Sequence, residues 1–131
     1  MIAEPWFSVI ALIARILLAT VFLFSGIEKS THYQRTLQEF ERESIPLRPA
    51  SVVFTIALHV VAPICLIAGW FVTEMAIALA VFTLAATIAV HHFWTMSGDE
   101  RLARTRIALS NLAVIGGLVL LAVSGPGELV I

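Results

Sequence analysis

Between Trp6 and Ile27 the chain is almost wholly apolar over roughly the 20 residues that a helix needs to cross a bilayer, and Arg15 stands near the middle of that run. A guanidinium at such depth costs at least about 2.5–3.5 kcal/mol on insertion scales, so it has to face protein or a wet cavity. At about 100° per residue, Ser8, Ala11, Arg15, Ala19, Phe22, Gly26 and Lys29 share one stripe. Ile10, Ile13, Leu17 and Phe24 lie opposite. The first face suits packing and polar contacts, the second suits lipid. Whatever encloses Arg15 must come from the rest of the chain.

The composition agrees with a bilayer setting. Of the 131 residues, 60% are hydrophobic and 13% charged, and the mean hydropathy is +0.97. Soluble domains run nearer half apolar and a quarter charged, so the class is membrane protein. A formal net charge of -1 leaves no basic excess for nucleic acid. The lone cysteine, Cys65, excludes an internal disulfide and a CxxC redox pair. Residues 1–131 read as one membrane domain. The first run lacks a basic segment before it and a small-residue cleavage site after it, so it is expected to be retained as a span.

Four apolar runs, 6–27, 51–72, 74–94 and 107–123, are expected to be transmembrane helices, because only helices and closed barrels satisfy their backbone in lipid. The expected fold is an all-α membrane protein, an antiparallel bundle of four transmembrane helices with both chain ends on one side. Apart from Arg15, every Lys and Arg falls in two connections: Lys29, Arg35, Arg42 and Arg48 in the first, Arg101, Arg104 and Arg106 in the second. The positive-inside rule puts those connections in the cytoplasm and both termini outside. In the first connection Thr31 and Gln34 resemble a capping box, and Tyr33, Leu37 and Phe40 recur at helical spacing. A short interfacial helix over about 31–43 is therefore expected, ending before Pro46 and Pro49. Gly125-Pro126-Gly127 reads as the turn closing the fourth span.

Polar residues inside the spans are the candidates for function. The second span aligns Thr55, His59, Ala62, Leu66 and Gly69, and Pro63 takes the helical donor away from the His59 carbonyl. Counted at about 1.5 Å per residue from the outer boundary, Arg15 and His59 differ in depth by about 6 Å, which an arginine can bridge. The third span aligns Ala76, Ala80, Thr83, Thr87, His91 and Trp94, and the fourth Ser110, Ala113 and Gly117 with Asn111 beside them. Small residues in rows let helices approach closely, within one chain or in a homo-oligomer. Two polar layers are expected, Arg15 with His59 at mid-membrane and Lys29, His91, His92, Trp94 and Asn111 at the cytoplasmic rim.

The ligand-binding candidates are thus Arg15, His59, Lys29, His91 and Asn111. Trp94, Glu100 and Arg101 are candidates at the cytoplasmic rim, and Gly26 and Gly117 for helix packing. Each has a plainer reading: Arg15 tying the bundle through carbonyls, His59 as a hydrogen-bonded structural residue, His91 and His92 as interface anchors, Asn111 as an interhelical bond. On a helix His91 and His92 cannot both face one pocket. Glu74 reads as a helix-opening residue. No metal site is expected, since too few ligands converge, and a bis-histidine haem has weak support. A nucleophile elbow, a glycine-rich phosphate loop and HExxH are all absent, which favours a non-catalytic subunit over an enzyme.

Two blocks carry a family likeness. The first span reads Arg15-x-x-Leu18-x-x-x-Phe22-x-x-Ser25-Gly26-x-x-Lys29. After the third come His91-x-Phe93-Trp94-x-Met96-x-Gly98-x-Glu100-Arg101 and then Asn111-Leu112-Ala113-x-x-Gly116-Gly117-Leu118. Together, from about Ala11 to Leu121, these resemble the DoxX family of small four-helix membrane proteins. The resemblance implies a bacterial inner-membrane protein. Some relatives are subunits of sulfur-oxidising quinone reductases, and others accompany oxidative or thiol stress. Where relatives often carry an acidic residue followed by glycines in the second span, this chain has His59 and Pro63. An intramembrane Arg–Glu pair is then excluded, and Arg15 meets either neutral His59 or an electron-rich group from outside. The resulting expectation is an accessory subunit or docking platform of a quinone- or thiol-linked redox system. It would hold a quinone or lipid near Arg15, contact the bilayer, and meet a protein partner at the cytoplasmic face. A ligand-free structural protein is the alternative, as is a small-molecule transporter, which would need an aqueous path through spans broken only at Pro63.

Overall fold

The computed structural model describes residues 5–130. Its elements are α1 (Trp6–Thr31), α2 (Tyr33–Arg42), α3 (Ala50–Ala68), α4 (Val72–Val90), a 3-10 turn at Phe93–Thr95, and α5 (Gly98–Ser124). α1, α3, α4 with its following turn, and α5 are each long and apolar enough to cross a membrane.

The stripe on α1 is the packing face. Ser8, Arg15, Ala19, Phe22 and Gly26 are its buried residues. Ile13, Leu17 and Phe24, opposite, are 51%, 65% and 70% exposed within the chain, which only lipid would accept on this scale. On α3 the buried set includes Thr55, His59, Ala62 and Leu66, and on α4 it includes Ala76, Ala80 and Thr83. Both are the expected faces. The core they form closes around Ala19, Phe22, Ala62, Leu66, Leu79 and Leu118.

Pairwise contacts give the directions of the helices. A Cβ added at Gly26 would stand 2.8 Å from the His59 carbonyl oxygen, and one added at Gly69 would stand 2.5 Å from Arg15 Nη1. α1 and α3 therefore run antiparallel in intimate contact. Thr73 at the start of α4 donates to the Ala122 carbonyl near the end of α5, while Arg104 near the start of α5 reaches His91 past the end of α4. The bundle is antiparallel, as expected. Its helix order puts Lys29, Arg35, Arg42, Arg48, Arg101, Arg104 and Arg106 at one end.

Several expected boundaries are corrected. α3 stops at Ala68, with Gly69 as a left-handed C-cap, and not at 72. α4 stops at Val90, so His91 and Trp94 leave the helical stripe assigned to them. α5 begins at Gly98, well before 107, with Asp99 and Glu100 in its first turn where the helix dipole favours acid. A hydropathy window sees only the stretch of this helix that suits lipid. The expected capping box at Thr31 is absent: its hydroxyl turns back to the Ile27 and Glu28 carbonyls of α1, and His32 is the N-cap residue of α2. On α5, Ser110 and Ala113 are exposed. The inward face is instead Ala108, Leu118 and Leu121.

Candidate functional site

Glycine at position 26 brings the α1 and α3 backbones together. Its second Cα hydrogen, where a Cβ would be, points at the His59 carbonyl, the oxygen that Pro63 leaves without a helical donor. Arg15, one candidate partner for this carbonyl, donates to Leu129 instead. Below the carbonyl, the His59 ring stacks on Phe22, with centroids 5.5 Å apart and planes 15° from parallel, and meets Phe82 edge-on at 4.8 Å and 89°. Two aromatic rings thus hold the imidazole, which is 5% exposed. Its Nδ1 has no hydrogen-bond partner among the described residues.

His59 forms part of the wall of a cavity of about 650 Å³ that runs from between α1, α3 and α4 to the basic end of the molecule. That volume lies in the range of small-molecule sites. Its deep part is apolar, with Phe22, Phe82 and Ala86. The mouth is polar and mixed in charge, with Lys29, Arg42 and Arg104 facing Glu39 and Glu43. Thr36, buried on the inner face of α2, donates to the Lys29 and His32 carbonyls and fastens α2 to the end of α1. α2 and the segment after it thereby form one lip of the mouth.

Four of the five ligand candidates, His59, Lys29, His91 and Asn111, line this one cavity. Lys29 Nζ donates to Ser25 Oγ at 2.6 Å, one turn back on α1. Asn111 Nδ2 donates to Thr87 Oγ1 at 3.0 Å, the interhelical bond of its plainer reading, and Thr87 in turn donates to the Thr83 carbonyl at 2.6 Å. Arg104 Nη1 donates to His91 Nδ1 at 3.2 Å, which leaves the ring proton of His91 on Nε2. His92 turns away to Glu43, Nε2 to Oε2 3.1 Å, and to Thr95. The two histidines diverge as expected, but from the irregular link between α4 and the 3-10 turn instead of a helix. Ser51 Oγ, also on the cavity wall, is a second buried polar atom without a hydrogen-bond partner. Among the described residues no three of His, Cys, Asp and Glu come together as a metal site would require.

Arg15 is not in this cavity. The expected layer of Arg15 with His59 is corrected: Arg15 lies against Gly69 and His59 against Gly26, about 15 Å apart along α3 at 1.5 Å per residue. The depth count sets Trp6 level with the end of the second span, whereas the guanidinium of Arg15, well inside α1, lies beside Gly69, just past the end of α3. Arg15 is wholly buried, and its Nη2 donates to the carbonyl of Leu129, in the segment after α5 that folds back over it. Its Nε and Nη1 have no hydrogen-bond partner among the described residues. Trp94, Glu100 and Arg101 are exposed at the basic end, outside the cavity. Gly117 packs on Leu18, 3.3 Å from an added Cβ to Cδ2.

Ser25, Ser51, Phe82 and Arg104 were not singled out from the sequence. Arg104 was read only as one of the basic residues of a loop, because its helix was expected to start later. Phe82 falls beside the Ala76–Thr87 stripe and signals nothing by periodicity.

The sequence profile of the DoxX family matches residues 10–92. The chain belongs to the DoxX family. Among curated proteins, this DoxX protein is 28% identical over 121 residues to the inner membrane protein YphA of Escherichia coli (strain K12), covering 92% of this chain and 86% of that one. It is 30% identical over 116 residues to the inner membrane protein YqjF of the same organism, covering 88% and 84%. No solved structure matches it. The profile takes in Arg15, Gly26, Lys29, His59 and His91 and ends before Asn111 and the segment that covers Arg15. This DoxX protein is an integral membrane protein in contact with the bilayer along the outer faces of its spans.

Proposed function

We propose that this DoxX protein is a bacterial inner-membrane subunit of a quinone- or thiol-linked redox system, which holds a lipophilic ligand with a carbonyl head in the cavity beside His59. The observation that carries this reading is the convergence of His59, Lys29, His91 and Asn111 on one cavity with an apolar interior and a polar mouth. A head group with electron-rich oxygens suits the Lys29 ammonium and the amide of Asn111, and an isoprenoid or acyl tail suits Phe22, Phe54 and Phe82. The redox connection comes from the family resemblance, and the inner membrane from the two Escherichia coli relatives, both inner membrane proteins. The basic end, where Trp94, Glu100 and Arg101 are exposed, would lie in the cytoplasm and receive the protein partner, leaving both termini outside.

The test is purification in mild detergent, followed by native mass spectrometry, an absorption spectrum and titration with a short-chain quinone. His59→Phe keeps the ring and its stacking but removes both nitrogens, so it should fold and bind at least about tenfold more weakly. Absence of copurifying quinone together with absence of binding on titration would remove the ligand from this reading. The docking platform would then stand alone.

A further inference from the structure

A guanidinium offers two forks to an acid group, one formed by Nε with Nη2 and the other by Nη1 with Nη2. In Arg15 the shared nitrogen, Nη2, is the one that donates to the Leu129 carbonyl, while Nε and Nη1 have no hydrogen-bond partner among the described residues. Nη2 contributes one N–H to each fork, so this single neutral carbonyl engages one fork and leaves most donors of a fully buried cation unmet, and none of the ion pairs among the described residues includes Arg15. A buried charge with so few bonds is costly, and a two-oxygen acid group in place of the carbonyl would satisfy Nη2 and one neighbour together.

The covering segment is held by contacts that can be released. Gly125 and Gly127 both have positive φ, 81° and 78°, and turn the chain back after α5. Glu128 N donates to Ser8 Oγ at 2.9 Å, Gly127 lies against Ser8 and Ala11, and Val130 lies against Gly69. Glu128, Leu129 and Val130 remain exposed on their outer side. Among the described residues, this strap is what lies over Arg15 at the end of the bundle opposite the basic one.

We propose that Arg15 is an oxyanion site closed by residues 125–130, which open to admit a phosphate or phosphodiester group onto the guanidinium. This site is separate from the cavity beside His59 and does not depend on its ligand. The group comes either from a phospholipid head or from a free anion, and the two differ in how they arrive.

The experiment uses the full chain in neutral detergent. Gly127→Val should lift the strap, since its Cβ would meet Ser8 Cα at 3.1 Å, without altering Arg15. A site open for only a small fraction of the time binds in proportion to that fraction, so this variant should bind inorganic phosphate at least about tenfold more tightly than the unaltered protein. Thermal shift against chloride at equal ionic strength reads the binding. Adding Arg15→Lys, which keeps the charge and loses the forks, should abolish the gain. Native mass spectrometry after extraction from phosphatidylglycerol vesicles separates the sources. Retained lipid that phosphate displaces, and that Arg15→Lys loses, identifies a lipid head; phosphate binding with no retained lipid identifies a free anion. If the double variant does not fold, a spin label at Glu128→Cys in a Cys65→Ser chain must gain mobility on adding phosphate. No phosphate effect in Gly127→Val, an equal effect with Arg15→Lys, or an unmoved label would each overturn the proposal.

Discussion

Asn111 shows what a polar residue contributes inside a bundle. Its amide reaches Thr87 Oγ1 across the α4–α5 contact at 3.0 Å, and interhelical bonds of this kind average about 0.6 kcal/mol with a maximum near 1.7. Asn111→Ala should therefore lower unfolding stability by about that amount. A double-mutant cycle with Thr87→Val, measured by denaturant titration in detergent, should recover most of it as coupling; additive losses would mean that the two side chains do not interact. Arg15 lies at the other extreme. That it would be buried could be read from the sequence, because a guanidinium within a lipid-length run has nowhere else to go. Its partner could not, since the bond runs to a backbone carbonyl 114 positions away in the chain, and a backbone carbonyl carries no residue identity. The same holds for the His59 carbonyl: Pro63 announces that it has lost a donor, but only the approach of α1 shows Gly26 meeting it.

Among the helices, three interior glycines of α1 and α5 form a graded series. At Gly26 an added Cβ would lie 2.8 Å from backbone, which must move, so Gly26→Ala should cost about 1–3 kcal/mol as an overpacked core does. At Gly117 the nearest atom is the end of the Leu18 side chain at 3.3 Å, which can rotate away. Gly117→Ala should be near neutral. Nothing lies within 4 Å of Gly116, and Gly116→Ala should stabilise by up to about 1 kcal/mol through helix propensity. Thermal unfolding of the three variants should rank them 26, 117, 116 from least to most stable, and a Gly26→Ala that is not the least stable would contradict the α1–α3 approach. Periodicity revealed the buried faces of α1, α3 and α4 well, because burial repeats along a helix. It failed at helix ends and on α5, where Ser110 and Ala113 resemble a packing stripe yet face outward. Small residues permit close approach on whichever side a neighbour happens to stand.

At the scale of the molecule, charge and bundle direction combine into one requirement. The antiparallel helices gather Lys29, Arg35, Arg42, Arg48, Arg101, Arg104 and Arg106 at one end, and the segment over Arg15 closes the other. Insertion favours keeping short basic connections in the cytoplasm, so the Arg15 strap should face the outside and the mouth of the cavity the inside. In a Cys65→Ser chain, single cysteines at Glu41, in α2 at the basic end, and at Glu128, in the strap, test this directly; both positions are exposed. A membrane-impermeant maleimide applied to intact spheroplasts should modify Glu128→Cys and spare Glu41→Cys, and lysis should make both reactive. The reverse pattern would put the cavity mouth outside and remove a cytoplasmic partner from consideration. Equal labelling of both before lysis would mean dual insertion. The cavity would then open on both sides of the membrane, which a subunit committed to one partner does not need.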